Sequence, residues 1–78
     1  MTISAERFRE IISDAMDTAQ YSHWGEHLGT VMTSRERDVV RAKWHTMNAN
    51  TAFIHAFYLL ADEAGVTPAE VYKSRQAA

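Results

Sequence analysis

The stretch Ala52-Phe53-Ile54-His55-Ala56-Phe57-Tyr58-Leu59-Leu60-Ala61 decides the fold, and only His55 in it is plainly polar. Read at about 100° per residue, it carries two adjacent apolar stripes. Phe53, Phe57, Leu60 and Ala64 form one, and Ile54, Tyr58 and Ala61 form the other. The second runs back through Thr51, Met47, Trp44 and Val40 in alternating steps of four and three, a heptad-like seam with Thr51 as its polar interruption. An ordinary surface helix has one apolar stripe roughly 100° wide. A helix with two needs neighbours on two sides. The expectation is an all-α fold of three main helices around a long, very apolar central one.

The flanking segments supply those neighbours. Ser4 is a good N-cap. After it, Phe8, Ile11, Ile12, Ala15, Met16 and Ala19 repeat at helical spacing, opposite Glu6, Arg7, Arg9, Glu10, Asp14 and Asp17. That pattern predicts a one-sided amphipathic helix over about residues 5–21. Gly25 and Gly29 break regular structure in the next segment, where Trp24, Leu28, Val31 and Met32 are expected to fold back over the core with one short helical turn. Thr33-Ser34-Arg35-Glu36 can form a capping box, so the central helix is placed at 34–64. Asn48-Ala49-Asn50-Thr51 is the one place it could break, with Asn50 as a second N-cap. Because the seam keeps phase across the asparagines, a continuous or merely bent helix is expected, about 45 Å long. Gly65 ends it. Thr67-Pro68-Ala69-Glu70 then opens a last helix at about 68–76, with Val71 and Tyr72 turned inward. The first helix is expected antiparallel on the central one, and the last folded over its end.

At 78 residues the chain holds one domain, 1–78. So small a domain is marginal without staples. With no cysteine it has neither a disulfide nor a thiolate zinc site, which leaves oligomerisation as the common remedy. The net charge of −2 lacks the basic footprint usual in nucleic-acid binders. No run reaches the ~18 apolar residues of a membrane span, and Met1-Thr2-Ile3-Ser4 lacks the form of a signal peptide. A cytoplasmic protein is expected.

Three motifs carry potential chemistry. His23-Trp24-Gly25-Glu26-His27 has the H-x-x-E-H spacing of inverted zinc peptidases. Glycine interrupts it and no third ligand stands out, so no metal, catalytic or cofactor residue is assigned. His55, alone on an apolar run, reads as a hydrogen-bonded residue at the edge of the core or of an interface, able to titrate near neutrality. Arg35, Arg37, Arg41 and Lys43 are interleaved with Glu36 and Asp38, the pattern of a solvated face with local ion pairs.

A fourth stretch, Leu60-Ala61-Asp62-Glu63-Ala64-Gly65-Val66-Thr67-Pro68-Ala69-Glu70-Val71-Tyr72, resembles the helix-turn-helix unit of tetracycline-repressor-like and lactose-repressor-like regulators. The matching points are Ala61, Gly65, Val66 and Val71. The resemblance implies that the small residue lets two helices approach, glycine makes the turn and the valines pack the angle. The helix after Thr67 would then be the recognition helix, with Tyr72, Lys73 and Arg75 towards DNA. The helix before the turn is longer and more apolar than such units have.

The leading expectation is a small non-enzymatic interaction protein, of the size of many bacterial or phage regulators, inhibitors and adaptors. It would form a homodimeric helical bundle, or bind another protein, through Val40, Trp44, Met47, Phe53, Ile54, Phe57, Tyr58 and Leu60. The alternative is a small dimeric helix-turn-helix DNA-binding transcriptional regulator.

Overall fold

The computed structural model describes residues 2–18, 28–47 and 52–77. Among them the chain is all-α, with five helices: α1 Ala5–Thr18, α2 Leu28–Val31, α3 Ser34–His45, α4 Phe53–Glu63 and α5 Pro68–Ala77. None of these helices is long and apolar enough to cross a membrane.

α1 starts where expected. Ser4 Oγ accepts from the Arg7 N–H at 3.1 Å, satisfying one of the donors that a helix start leaves open. Its apolar face is buried as read: Phe8, Ile11, Ile12, Ala15 and Met16 all lie in the core. Leu28 and Met32 fold back into the same core, and α2 is the short helical turn between them. Trp24 and Ala19 lie outside the described residues.

The single central helix is corrected to two. α3 ends at His45, where the Thr46 and Met47 N–H groups bond to the Lys43 and Trp44 carbonyls at 3.0 Å. The Thr46 hydroxyl also donates to the Lys43 carbonyl at 2.7 Å. Such i to i−3 bonds tighten and close a last turn. α4 begins after Ala52, whose carbonyl accepts from the His55 N–H at 3.0 Å. α3 and α4 then pack on each other. Each supplies part of the apolar cover that the other needs, which one unbroken helix could not do. A 45 Å rod would also overrun a fold whose longest dimension is 37 Å and whose radius of gyration is 12.0 Å. The residues read as a hinge, Asn48–Asn50, lie outside the described segments.

The core joins Phe8, Ile11, Ile12, Ala15 and Met16 of α1 to Val40 of α3, Ala56, Phe57 and Ala61 of α4, and Val66 and Val71 beyond. Phe8 meets Phe57 edge to face, with ring centroids 5.3 Å apart and planes at 72°, the geometry that aromatic quadrupoles favour. Each such fully buried side chain stabilises the fold by about 1.5–3 kcal/mol.

A second correction concerns α5, which lies alongside α1 rather than over the end of the central helix. Arg9 pairs with Glu70 at 2.8 Å, and Arg75 pairs with Asp17. The partners advance together along both helices, so α1 and α5 run in the same sense.

One polar knot ties α1 to α3. The capping box forms: Glu36 N–H donates to Thr33 Oγ1 at 3.2 Å, and Thr33 N–H donates to Glu36 Oε1 at 2.9 Å. Arg7 then grips the same carboxylate with two bonds, Nε to Oε2 at 2.6 Å and Nη2 to Oε1 at 3.0 Å. The Arg7 guanidinium holds the Glu36 carboxyl down at about 2, against an ordinary 4.5. A carboxyl depressed in the folded state stabilises the fold above its unfolded value, and that contribution disappears as the pH falls through the folded one. Acid unfolding is therefore expected to include a Glu36-dependent loss between about pH 4.5 and about pH 2. Circular dichroism against pH should show that loss in the native chain and a flatter profile over this window in Glu36→Gln.

Candidate functional site

The best-defined local architecture is the α4–turn–α5 unit. At the end of α4 the Val66 N–H bonds to the Ala61 carbonyl and the Gly65 N–H to the Asp62 carbonyl, both at 2.9 Å. This nested pair is a Schellman motif. It needs a left-handed residue after the C-cap, and Gly65 has φ +83°. The motif's usual apolar contact is present in kind, because Ala61 and Val66 are both buried. Val71, one turn into α5, is buried as well. Of the four residues that carried the resemblance, Ala61, Val66 and Val71 are buried and Gly65 is left-handed.

Thr67 starts α5 as expected, its Oγ1 accepting from the Glu70 N–H at 3.2 Å. The Glu70 carboxylate does not fold back to complete a capping box; it bonds to Arg9 of α1. On the surface of α5, Ala69, Glu70, Lys73, Ser74, Arg75 and Gln76 are exposed and Tyr72 is half-buried. The Gln76 Nε2 donates to the Tyr72 hydroxyl at 2.7 Å. Of the expected DNA contacts, Lys73 is exposed, whereas Arg75 is engaged by Asp17 and by Ser13 Oγ at 2.7 Å. The Asp17 hydrogen bond raises the Arg75 guanidinium further above its ordinary value.

The expected apolar interface is not one surface. Val40 and Phe57 are wholly buried within the single chain, so in this fold they are core. Of the stripe Phe53, Phe57, Leu60, it is Phe57 that α1 covers, because it faces Phe8. Met47, Phe53, Ile54, Tyr58 and Leu60 are half-buried against the same core. Leu60 lines an open groove of about 280 Å³ with Ile3, Phe8 and Val39. Among the described residues two large apolar side chains are exposed, Trp44 at 38% and Leu59 at 43%. Trp44 stacks on His45 at 6.4 Å and meets Phe53 edge-on at 6.4 Å. Leu59 sits instead on the outer stripe of α4, with His55 and Asp62. His55 is therefore a surface residue and not the edge of the core.

Three cations of the basic run of α3, Arg37, Arg41 and Lys43, are engaged within the chain. Arg37 donates to the Gly29 and Met32 carbonyls at 2.6 and 3.3 Å. Lys43 reaches Glu63 of α4 at 2.9 Å, and Arg41 approaches Asp38 at 3.5 Å. His23 and His27 lie outside the described residues. Among the described residues no three histidine or carboxylate side chains gather as a metal site. Sequence reasoning had no signal for the cross-chain partners Arg7–Glu36, Arg9–Glu70 and Lys43–Glu63, because each joins helices whose mutual placement only the fold defines.

No known protein family, curated protein or solved structure matches this chain.

Gly65 offers a direct check on the unit. An added Cβ there would meet nothing within 4 Å, so the cost of Gly65→Ala is the left-handed backbone alone, about 1–2 kcal/mol. Chemical denaturation should read that loss, with the helical content of the native state unchanged.

Proposed function

We propose that this chain is a small, non-enzymatic regulator that acts by binding, and that α4, the Gly65 turn and α5 form a helix-turn-helix unit directed at DNA. The supporting observation is the coincidence at one turn of a buried Ala61, a left-handed Gly65 and buried Val66 and Val71. In this reading the N-terminal part of α5 enters the major groove. Tyr72 and Lys73 face base edges or phosphates, and Arg75 serves as a backbone cation towards the end of the helix. Two of the nearby carboxylates are less hostile to a phosphate backbone than a formal charge of −2 suggests, because Glu63 is paired with Lys43 and Glu70 with Arg9; Asp62 stands exposed beside them. The protein would work in the cytoplasm, as a homodimer reading two half-sites. Replacing both Lys73 and Arg75 with Ala should weaken binding to a mixed-sequence duplex. It should also flatten the dependence of log K on log salt by roughly two, one per lost phosphate contact. Both side chains are on the surface, so the fold should survive. Unchanged affinity and slope would remove this reading.

A second reading is favoured by the exposure of Trp44 and Leu59. Tryptophan is enriched at the energetic centres of protein interfaces, and the chain would then bind itself or another protein as an inhibitor or adaptor. Trp44→Asp and Leu59→Asp, each outside the core, should split any dimer in sedimentation velocity and release proteins captured by the nuclease-treated native chain. Variants that keep the native assembly and the same captured proteins would rule it out.

A further inference from the structure

Resting on the DNA-binding reading, we infer that α1 is a built-in competitor for the recognition helix: Asp17 and Ser13 hold Arg75 in the position of a phosphate contact and lower the affinity for nucleic acid. Arg9, Ser13 and Asp17 follow one another at i+4 spacing and so form a single stripe on α1. All three face α5. Arg9 takes Glu70 at 2.8 Å, Ser13 Oγ accepts from Arg75 Nη1 at 2.7 Å and the Ser13 carbonyl accepts from it at 3.3 Å, and Asp17 accepts from Arg75 Nη2. The stripe reads positive, neutral, negative against an α5 face that reads negative then positive. It mimics the acceptor set that a phosphate would offer the same guanidinium.

The contact is placed to exchange. The Asp17 and Arg75 side chains keep 62% and 35% of their exposure, and an ion pair so exposed to water is weak enough to give way to a phosphate. An open cleft of about 350 Å³ runs between the two helices to Arg75, lined by Arg9, Glu10, Ser13, Asp14, Val71 and Ser74. Arg75 is thus reached from solvent without the core opening, and a phosphate arriving there passes the Glu10 and Asp14 carboxylates. Glu70 is restrained by the same stripe, so α1 both withholds a cation and screens an acid on the one helix.

The test measures binding of a labelled mixed-sequence duplex at low salt to the native chain, Asp17→Asn, Arg75→Ala, the Asp17→Asn/Arg75→Ala double variant, and Glu6→Gln as an equal charge change at the far end of α1. Circular dichroism melts confirm that each is folded. Asp17→Asn is expected to bind roughly two- to fivefold more tightly, the range set by one exposed ion pair. Glu6→Gln is expected to change affinity less, and the gain from Asp17→Asn is expected to vanish when Arg75 is already Ala. If Asp17→Asn gains no more than Glu6→Gln, or keeps its gain without Arg75, the competitor role is overturned while DNA binding stands. If the native chain does not bind the duplex at all, both the competitor role and the DNA-binding reading fall.

Discussion

The edge-to-face contact of Phe8 on Phe57 is the interaction on which the remaining structure depends. It joins α1 to α4, and both rings are almost wholly buried. In so small a domain the core is one cluster with no second layer behind it. Ala15, Ala56 and Ala61, all fully buried, belong to the same cluster. Once α1 covers α4 in this way, the apolar surplus of the central stretch is mostly consumed inside one chain. Among the described residues the large apolar side chains that stay exposed are Trp44, beside Phe53, and Leu59 on the outer stripe.

Local signals in the sequence were legible because they act over a few residues. The amphipathic face of α1, the Thr33–Glu36 capping box, Gly65 as a left-handed terminator and Thr67-Pro68 as a helix start are each decided within one turn, and each stands where it was read. The continuity of the central helix was not legible. Val40, Trp44 and Met47 and then Ile54, Tyr58 and Ala61 keep a common phase, yet phase alone does not distinguish one long seam from two helices that fold back and share a core. The i to i−3 closure at Thr46 decides it, and threonine there gives no strong signal in a pattern of hydrophobic spacing. Of the candidate site, the turn chemistry was readable from Ala61, Gly65, Val66 and Val71. The engagement of Arg75 by Ser13 and Asp17 was not, since it joins residues about sixty positions apart.

Charge is organised around helix placement more than around a surface field. Glu36 satisfies the start of α3 and receives Arg7 from α1, so one carboxylate serves two elements. Arg37 plays the corresponding part for α2, closing its end through the Gly29 and Met32 carbonyls. These polar ties set the rotation of each helix about its axis, which apolar packing alone specifies loosely. Their result is that Lys73 stands clear on α5 while most other cations named above have structural duties.

The side-by-side placement of α1 and α5 also bears on the order of assembly. About fifty residues separate the end of α1 from the start of α5, whereas α3 and α4 are joined by a short connection. Closing a long loop costs more entropy than closing a short one and returns nothing until the ends meet. On loop-closure entropy alone, pairing α3 with α4 costs less than docking α5 along α1. The Gly65 turn serves that step as a pre-set elbow: it aims α5 before the partner helix arrives, so the final closure searches fewer arrangements than a free segment would.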